Sequence, residues 1–518
     1  MTIQAEALKT EGTGAGSGVA GSERYDDALP GARKRKLAEI ISERIQQDIE
    51  AIGWPVGQVL GNEVQLMETY GVSRATLREA IRQLERHGVV TMRRGFGGGL
   101  VIQEPARMAA VQGIATYLEL TDVSLDELFE ARTVLELQAV DLASQRVSDE
   151  DILALRNDVR LLLETPMENI KQEVHFNNSI RRTIAVASHN VALALFLEAL
   201  NRVTGALMPD YDRLAQHTEG RLKLREAKAQ LVEAIISGNR LVAEQAVLTE
   251  LAASKQSAKQ NLEQFRREAK KKGAMDIGTA PQIADWDASQ KLPHRLAVVI
   301  AREVAQRKLA EGTRIGSEPE FLARFGVSRA VFREAIRMLE GYGIVRMRRG
   351  FGGGLVVGYP DPAHTISLVI GYLKYTKLSP AHFYEVLFAL EVAMAPLAAA
   401  RAPQARIEAL QARLAAMEGK SRGVMMQGLR DNFMALQCSI GNRAISLMGS
   451  IISDLSPGFE FELPPLNVCK GLIQCHSDLL AAVAARDEGL ARRMVIRLLK
   501  AMDLWWGDKQ RKLWIESL

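Results

Sequence analysis

Cysteine is scarce here: Cys438, Cys469 and Cys475 are the three in 518 residues. An odd, thinly spread set excludes a disulfide framework and suits a reducing compartment, so a cytoplasmic protein is expected. Long apolar runs are lacking too. No stretch of about 18 apolar residues offers a membrane span, and the start lacks the basic-then-apolar pattern of a signal segment. No membrane partner is expected. Catalytic signatures are equally absent, with no Walker motif, no G-x-S-x-G elbow and no H-E-x-x-H. Cys469, Cys475 and His476 lie close together, yet they form no C-x-x-C pair and have no third orienting group. Idle thiols on helices are the commoner fate of such residues. Neither an enzyme nor a cofactor is expected. At 47% hydrophobic and 25% charged, the chain is long enough for several cores rather than one.

What the sequence does contain, it contains twice. Residues 71–101 read GVSRATLREAIRQLERHGVVTMRRGFGGGLV, and residues 326–356 read GVSRAVFREAIRMLEGYGIVRMRRGFGGGLV, at an offset of 255. The copies differ only at 76, 77, 83, 86, 87, 89 and 91, so 24 of 31 residues are identical without a gap. That period is far too long for a solenoid and means a duplicated two-domain protein in one chain.

The chemistry of the repeat points to nucleic acid. Gly71 breaks one helix, and Ser73 stands as the N-cap of the next. Leu77, Ile81 and Leu84 recur at helical spacing as a buried face, while Arg74, Arg78 and Arg82 form a basic stripe away from it. After Gly88, Val89–Arg94 and Leu100–Ile102 read as two strands joined by Gly95-Phe96-Gly97-Gly98-Gly99. A capped helix with an arginine stripe, then a basic hairpin with a glycine tip, is the layout of a winged helix-turn-helix. A phosphate cradle would need a helix after the glycines, and here a strand follows. Residues 71–102 and 326–357 each carry six arginines against two glutamates, +4 apiece, while the whole chain is only +4. Positive charge therefore sits on the two reading elements, where phosphate neutralisation would use it.

These residues resemble the DNA-reading domain of the GntR family of bacterial transcription regulators, whose pattern runs VSR-x-T-[VL]-R-x-A-x-x-x-L-x-x-x-G. The resemblance implies DNA contacts by Ser73, Arg74, Thr76, Arg78 and Arg82 with Arg93, Arg94 and Gly97 of the wing. In the second copy it implies Ser328, Arg329, Val331, Arg333 and Arg337 with Arg348, Arg349 and Gly352. The family commonly has L-P-[ST]-E-R just upstream, its arginine gripping a phosphate. Here Leu60-Gly61-Asn62-Glu63-Val64 and Ile315-Gly316-Ser317-Glu318-Pro319 stand instead, so that contact is absent from both halves.

The remaining chain is expected to divide as follows. Residues 1–32, small and polar, form a disordered tail; 33–104 are the first winged domain, opened by Arg33-Lys34-Arg35-Lys36 and a helix with Leu37, Ile41, Ile45 and Ile49 on one face. Residues 105–265 have long helical periods and resemble the all-helical FCD effector domain of the FadR subfamily. Residues 266–288 are a linker, 289–359 the second winged domain and 360–518 the second helical domain. The fold expected is mainly α, a tandem duplication of winged helix-turn-helix plus FCD-type domain.

Many FCD domains hold a divalent metal through Asp-x3-His and two later histidines. By that resemblance the positions fall on Asn177, Arg181, Lys228 and Glu250 in the first half, and on Leu429, Phe433, His476 and Leu498 in the second. Neither set suits a cation, so no metal is expected. His175, His189 and His217 read as ordinary helix residues. Arg132 and Glu136, at i and i+4, read as an exposed or a pocket-facing pair. If Arg181 and Lys228 face the first cavity, they suit a carboxylate or phosphate of a small organic ligand; otherwise they have a surface role or pair with Glu250. The second cavity, around Leu429, Phe433 and His476, reads as apolar, open to a hydrophobic ligand or filled by side chains.

The resulting expectation is a ligand-responsive transcription regulator, a repressor in a bacterial, nucleoid-associated setting. It would bind a double-stranded inverted-repeat operator as an internal pseudo-dimer, or as a homodimer of such chains, and respond to a small anionic effector. The alternatives are a constitutive architectural DNA-binding protein or an enzyme built on the helical domains.

Overall fold

The computed structural model describes residues 37–93, 95, 98–206, 218–271, 292–348, 350, 353–456 and 463–516. The first winged unit opens with α1 (Leu37–Ala51), which buries Ile41, Ile45 and Ile49 at helical spacing. Then come β1 (Val59–Gly61), α2 (Glu63–Tyr70), α3 (Arg74–Arg86), β2 (Val90–Arg93) and β3 (Gly99–Ile102). Asn62 and Gln65 cap α2 reciprocally, and Gly71 ends it at φ 63. Ser73 accepts from the Thr76 amide at 3.3 Å, which starts α3 where the sequence places it. The sheet runs β1-β3-β2, all antiparallel. Strand β1 is not legible in the sequence, because three residues are too few to show an alternation. It comes so close to β3 that a Cβ on Gly99 would lie 2.5 Å from the Gly61 carbonyl oxygen.

The first helical domain follows: α4 (Arg107–Leu120), α5 (Leu125–Arg146), α6 (Asp149–Glu164), α7 (Ile170–Ala187), α8 (Val191–Ala206), α9 (Thr218–Ile236) and α10 (Arg240–Lys271). His189, read from the sequence as an ordinary helix residue, instead lies in the turn between α7 and α8, at φ 53. Helix α10 runs through the first six residues assigned to the linker. The rest of the linker, the tail and the basic run 33–36 lie outside the described residues.

The second half repeats this order. It comprises α11 (Leu292–Gln306), β4 (Arg314–Gly316), α12 (Glu318–Phe325), α13 (Arg329–Gly341), β5 (Val345–Arg348) and β6 (Gly354–Val357). The helices α14 (Ala363–Tyr375), α15 (Pro380–Arg401), α16 (Gln404–Ala415), α17 (Arg422–Gln437), α18 (Arg443–Leu455), α19 (Leu466–Ala484) and α20 (Glu488–Glu516) complete it. Helix α15 is long and apolar enough, by length and composition, to cross a membrane. That corrects the expectation that no such stretch exists. Its apolar residues Phe383, Val386, Leu390 and Met394 lie in the core, and it carries Glu385 and Glu391.

The halves interlock about an internal two-fold. Arg146 donates to Glu385 at 3.3 Å, and at positions 255 further on or back Arg401 donates to Glu130 at 3.0 Å. Asn190 donates to the His382 carbonyl at 2.8 Å and to Glu385 at 2.9 Å. In return Asn442 donates to the Glu127 carbonyl at 3.0 Å and to Glu130 at 2.9 Å. Such reciprocity is what a two-fold relation requires. The winged units also cross over. Trp54 packs edge-on to Tyr375 and Glu50 pairs with Lys374 at 2.8 Å, so the first unit rests on α14 of the second half. His294 meets Glu119 at 2.7 Å, so the second rests on α4 of the first.

Candidate nucleic-acid interface and buried charge cluster

On α3 the physical division is sharp. Leu77, Ile81 and Leu84 are buried, whereas the side chains of Arg74, Arg78 and Arg82 are 58, 57 and 68% exposed. Glu63, at the start of α2, bridges two of them: Arg78 Nε lies 2.6 Å and Arg74 Nε 3.8 Å away. The hydrogen bond from Arg78 holds the Glu63 carboxyl below the usual range. Arg82 pairs with Glu79 at 3.2 Å. In the second copy Glu318 lies 3.4 Å from Arg333, and Arg329 and Arg337 are exposed. Ser328 caps α13 as Ser73 caps α3, each hydroxyl accepting an amide at 3.3 Å. The Thr76 hydroxyl lies 3.0 Å from Ser73 Oγ, a contact Val331 cannot make.

Arg93 and Arg348 are exposed at the ends of their wing strands, while Arg94, Gly97, Arg349 and Gly352 lie outside the described residues. Sequence reasoning missed the acids. Glu85 accepts from the Met92 amide and Glu340 from the Met347 amide, each at 2.8 Å, tying the reading helix to its wing. Their only signal was identity in both copies.

The second site is a cavity in the first helical domain. Glu136, Arg181, Lys228 and Asn201 line it together with Ile184, Leu231 and other apolar side chains. It is small, with room for one water or little more. Of the ligand candidates, Arg181 and Lys228 face it directly and Asn177 does not line it. Arg132 and Glu250 join through ion pairs. Arg132 Nε donates to Glu136 at 2.8 Å. Arg181 donates to Glu250 and, at 3.3 Å, to Ser254. Lys228 Nζ lies 2.9 Å from Glu250 without being aligned as a hydrogen bond. Arg181 and Lys228 are thus ion-paired with Glu250 and also line the cavity.

Among the described residues, Arg132, Arg181 and Lys228 pair with Glu136 and Glu250, three positive charges to two negative. Burial raises the Glu250 carboxyl, but Arg181 and Lys228 more than offset this and hold it well below the usual range. Burial pushes Lys228 down to about 8 against the pull of Glu250. Burial also lowers Arg132, while Glu250 raises Arg181 against its own desolvation. Arg181 Nε and Asn201 Oδ1 have no hydrogen-bond partner among the described residues.

In the second half Leu387 replaces Arg132, Phe433 replaces Arg181 and His476 replaces Lys228, with Leu498 at the position of Glu250. Glu391 keeps the place of Glu136 without its arginine, and burial pushes its carboxyl up to about 8. His476 is fully buried edge-on to Phe433, and neither ring nitrogen has a partner among the described residues. Burial holds it down at about 4. Leu429 is buried with this set.

The metal of related helical domains does not fit here, since a guanidinium and an ammonium stand where ligands would be needed. Among the described residues no three His, Cys, Asp or Glu side chains come together as ligands. His175 is exposed beside Phe176, and His217 lies outside the described residues.

Two winged helix-turn-helix units, each followed by a helical effector-type domain, define a DNA-binding transcription regulator. Residues 37–99 and 294–354 match the bacterial regulatory proteins of the gntR family, and residues 127–253 and 382–501 match the FCD domain. The chain belongs to the GntR family as a tandem duplication, and the proteins it resembles are regulators rather than enzymes. It is 28% identical over 170 residues to an uncharacterized HTH-type transcriptional regulator, YcbG, of Bacillus subtilis, covering 32% of this chain and 68% of that one. It is 27% identical over 187 residues to the Exu regulon transcriptional regulator of Escherichia coli, covering 36% and 68%. Among solved structures, a GntR protein of Streptococcus agalactiae aligns with 42% of this chain and 99% of its own, at 21% identity and a TM-score of 0.31.

Proposed function

We propose that this chain is a ligand-responsive repressor that occupies one inverted-repeat operator as a covalent pseudo-dimer. The carrying observation is the reciprocal set Arg146–Glu385 and Arg401–Glu130, which joins the two halves as a two-fold dimer joins its subunits. One polypeptide then presents two reading helices to two half-sites. The linkage makes binding of the second head intramolecular, at an effective concentration of about the millimolar range.

The effector is a small organic anion held in the first helical domain without a metal. The excess positive charge and the unpartnered Arg181 Nε support this. Arg181 and Lys228 line the cavity and already pair with Glu250, so an entering carboxylate or phosphate must share them with that acid. That redistributes contacts among α7, α9 and α10, which carry those residues, and gives the differential binding that a change of state requires. The second helical domain, with Phe433 and Leu498 in place of the charged pair, serves as a pairing body.

The test is operator binding, on DNA obtained by in vitro selection, with and without a panel of small carboxylates and phosphates. A shift in affinity that Arg181→Ala abolishes supports the reading. Affinity unmoved by every anion, together with tight specific binding, favours a constitutive architectural protein instead.

A further inference from the structure

Contacts across the internal two-fold are of two kinds. The Arg146–Glu385 and Arg401–Glu130 pairs are preserved under exchange of the halves, so they would form equally well between two copies of either half. Others are not preserved, and several of these disfavour the pairing of like halves.

Gly113 and Leu368 are equivalent positions, 255 apart, and they meet each other where α4 crosses α14. A Cβ on Gly113 would lie 2.8 Å from Leu368 Cδ2, so the leucine fills the space that the glycine leaves. Two first halves would set glycine against glycine and leave a void. Two second halves would set leucine against leucine in room for one.

The charges follow the same rule. Glu119 meets His294 at 2.7 Å, and Asp122 meets Arg302 at 4.0 Å. The equivalents of Glu119 and Asp122 are Lys374 and Lys377, and those of His294 and Arg302 are Glu39 and Gln47. A pair of first halves would therefore set Glu119 against Glu39. A pair of second halves would set Lys374 against His294 and Lys377 against Arg302. Likewise Arg443 donates to Glu127 at 2.8 Å and holds its carboxyl near 2 despite burial. The equivalents are Val191 and His382, so a first-half pair lacks that ion pair and a second-half pair puts Arg443 beside a histidine.

We infer that the face between the halves is a non-self surface, built to accept the other half and to reject a second copy of itself. The inference rests on the pseudo-dimer reading and goes beyond it: specificity is a difference of affinities, here produced by placing like charges and mismatched volumes in the unwanted pairings. The duplicated chain thus keeps its own two halves together in preference to pairing like with like between chains.

The test begins from the full chain carrying a protease site between residues 272 and 291. The folded protein is cleaved, both halves are unfolded together in urea, refolded together and weighed by native mass spectrometry, with the uncut chain as the refolding control. First–second pairs in about tenfold or greater excess over self-pairs are expected. Self-pairs at the frequency of random re-pairing overturn the inference while leaving the pseudo-dimer reading intact. Separated monomers overturn both. Glu119→Lys in the cleaved protein loses the contact with His294 and faces Glu39 in a self-pair, so first-half homodimers should appear. Their absence, with mixed pairs undiminished, also overturns it.

Discussion

Arg78 Nε donates to Glu63 Oε1 across 2.6 Å, so the central arginine of the reading helix is held by a carboxylate of the preceding helix. Arg333 forms an ion pair with Glu318 at 3.4 Å, without an aligned hydrogen bond. Such a pair orients an exposed guanidinium, and phosphates or base edges must compete with the acid for it. Arg78→Ala and Arg333→Ala should each weaken specific operator binding by about 1–3 kcal/mol. Glu63→Gln should raise affinity for unrelated DNA by removing a negative charge from the interface. Binding titrations on selected and scrambled duplexes check both; unchanged affinity in the alanine variants would falsify the placement of the reading helices.

The wing arginines should behave differently. Arg93 and Arg348 lie at the ends of strands beside the hairpin tip rather than on the reading helix. Replacing both by alanine should weaken all sequences alike and lower the slope of log affinity against log salt by about 0.9 for each phosphate no longer neutralised.

Ligand response should depend on pH through Lys228. Burial pushes its ammonium down to about 8, so the charge is present below that value and is lost as the pH rises through it. An anion bound there should bind best below pH 8 and weaken above it. Lys228→Met should remove this dependence, and Arg181→Ala should cut ligand affinity roughly 10- to 100-fold without changing affinity for ligand-free operator. Calorimetry with a responsive carboxylate at pH 7 and pH 9 reads the effect. Elemental analysis should find far less than one zinc, nickel or manganese per half.

Glu391 provides a stability test in the second half. Its carboxyl is raised to about 8 by burial, so the folded state keeps a proton that the unfolded chain releases near 4.5. Stability from this group is therefore full below about pH 4.5 and is lost as the pH rises to 8. Glu391→Gln should match the parent at low pH and exceed it above pH 8 by roughly 3–5 kcal/mol. Urea denaturation at pH 5 and pH 9 checks the sign.

Light scattering with a short single-operator duplex decides the stoichiometry. One chain per duplex is the expected complex. Two chains per duplex would rule out the pseudo-dimer and point to four heads bridging two sites.

Much of this protein was legible before any coordinate. The 255-residue repeat, the caps Ser73 and Ser328, and the face divided between Leu77-Ile81-Leu84 and Arg74-Arg78-Arg82 are local or periodic features. A helix of 3.6 residues per turn determines which of its residues share a face without reference to the rest of the chain. The sequence could not decide whether Arg181 and Lys228 answer to Glu250 or to a ligand. Glu250 is 69 residues from Arg181, and only the packing of α7, α9 and α10 brings the three together. The crossing of each winged unit onto the opposite half was likewise invisible. Glu119 and His294, or Trp54 and Tyr375, are far apart in sequence, and each looks ordinary on its own helix or turn. Periodicity states which face of a helix is apolar; which half supplies the surface that covers it is decided by volume and charge at positions such as Gly113 and Leu368, and these act only when the halves meet.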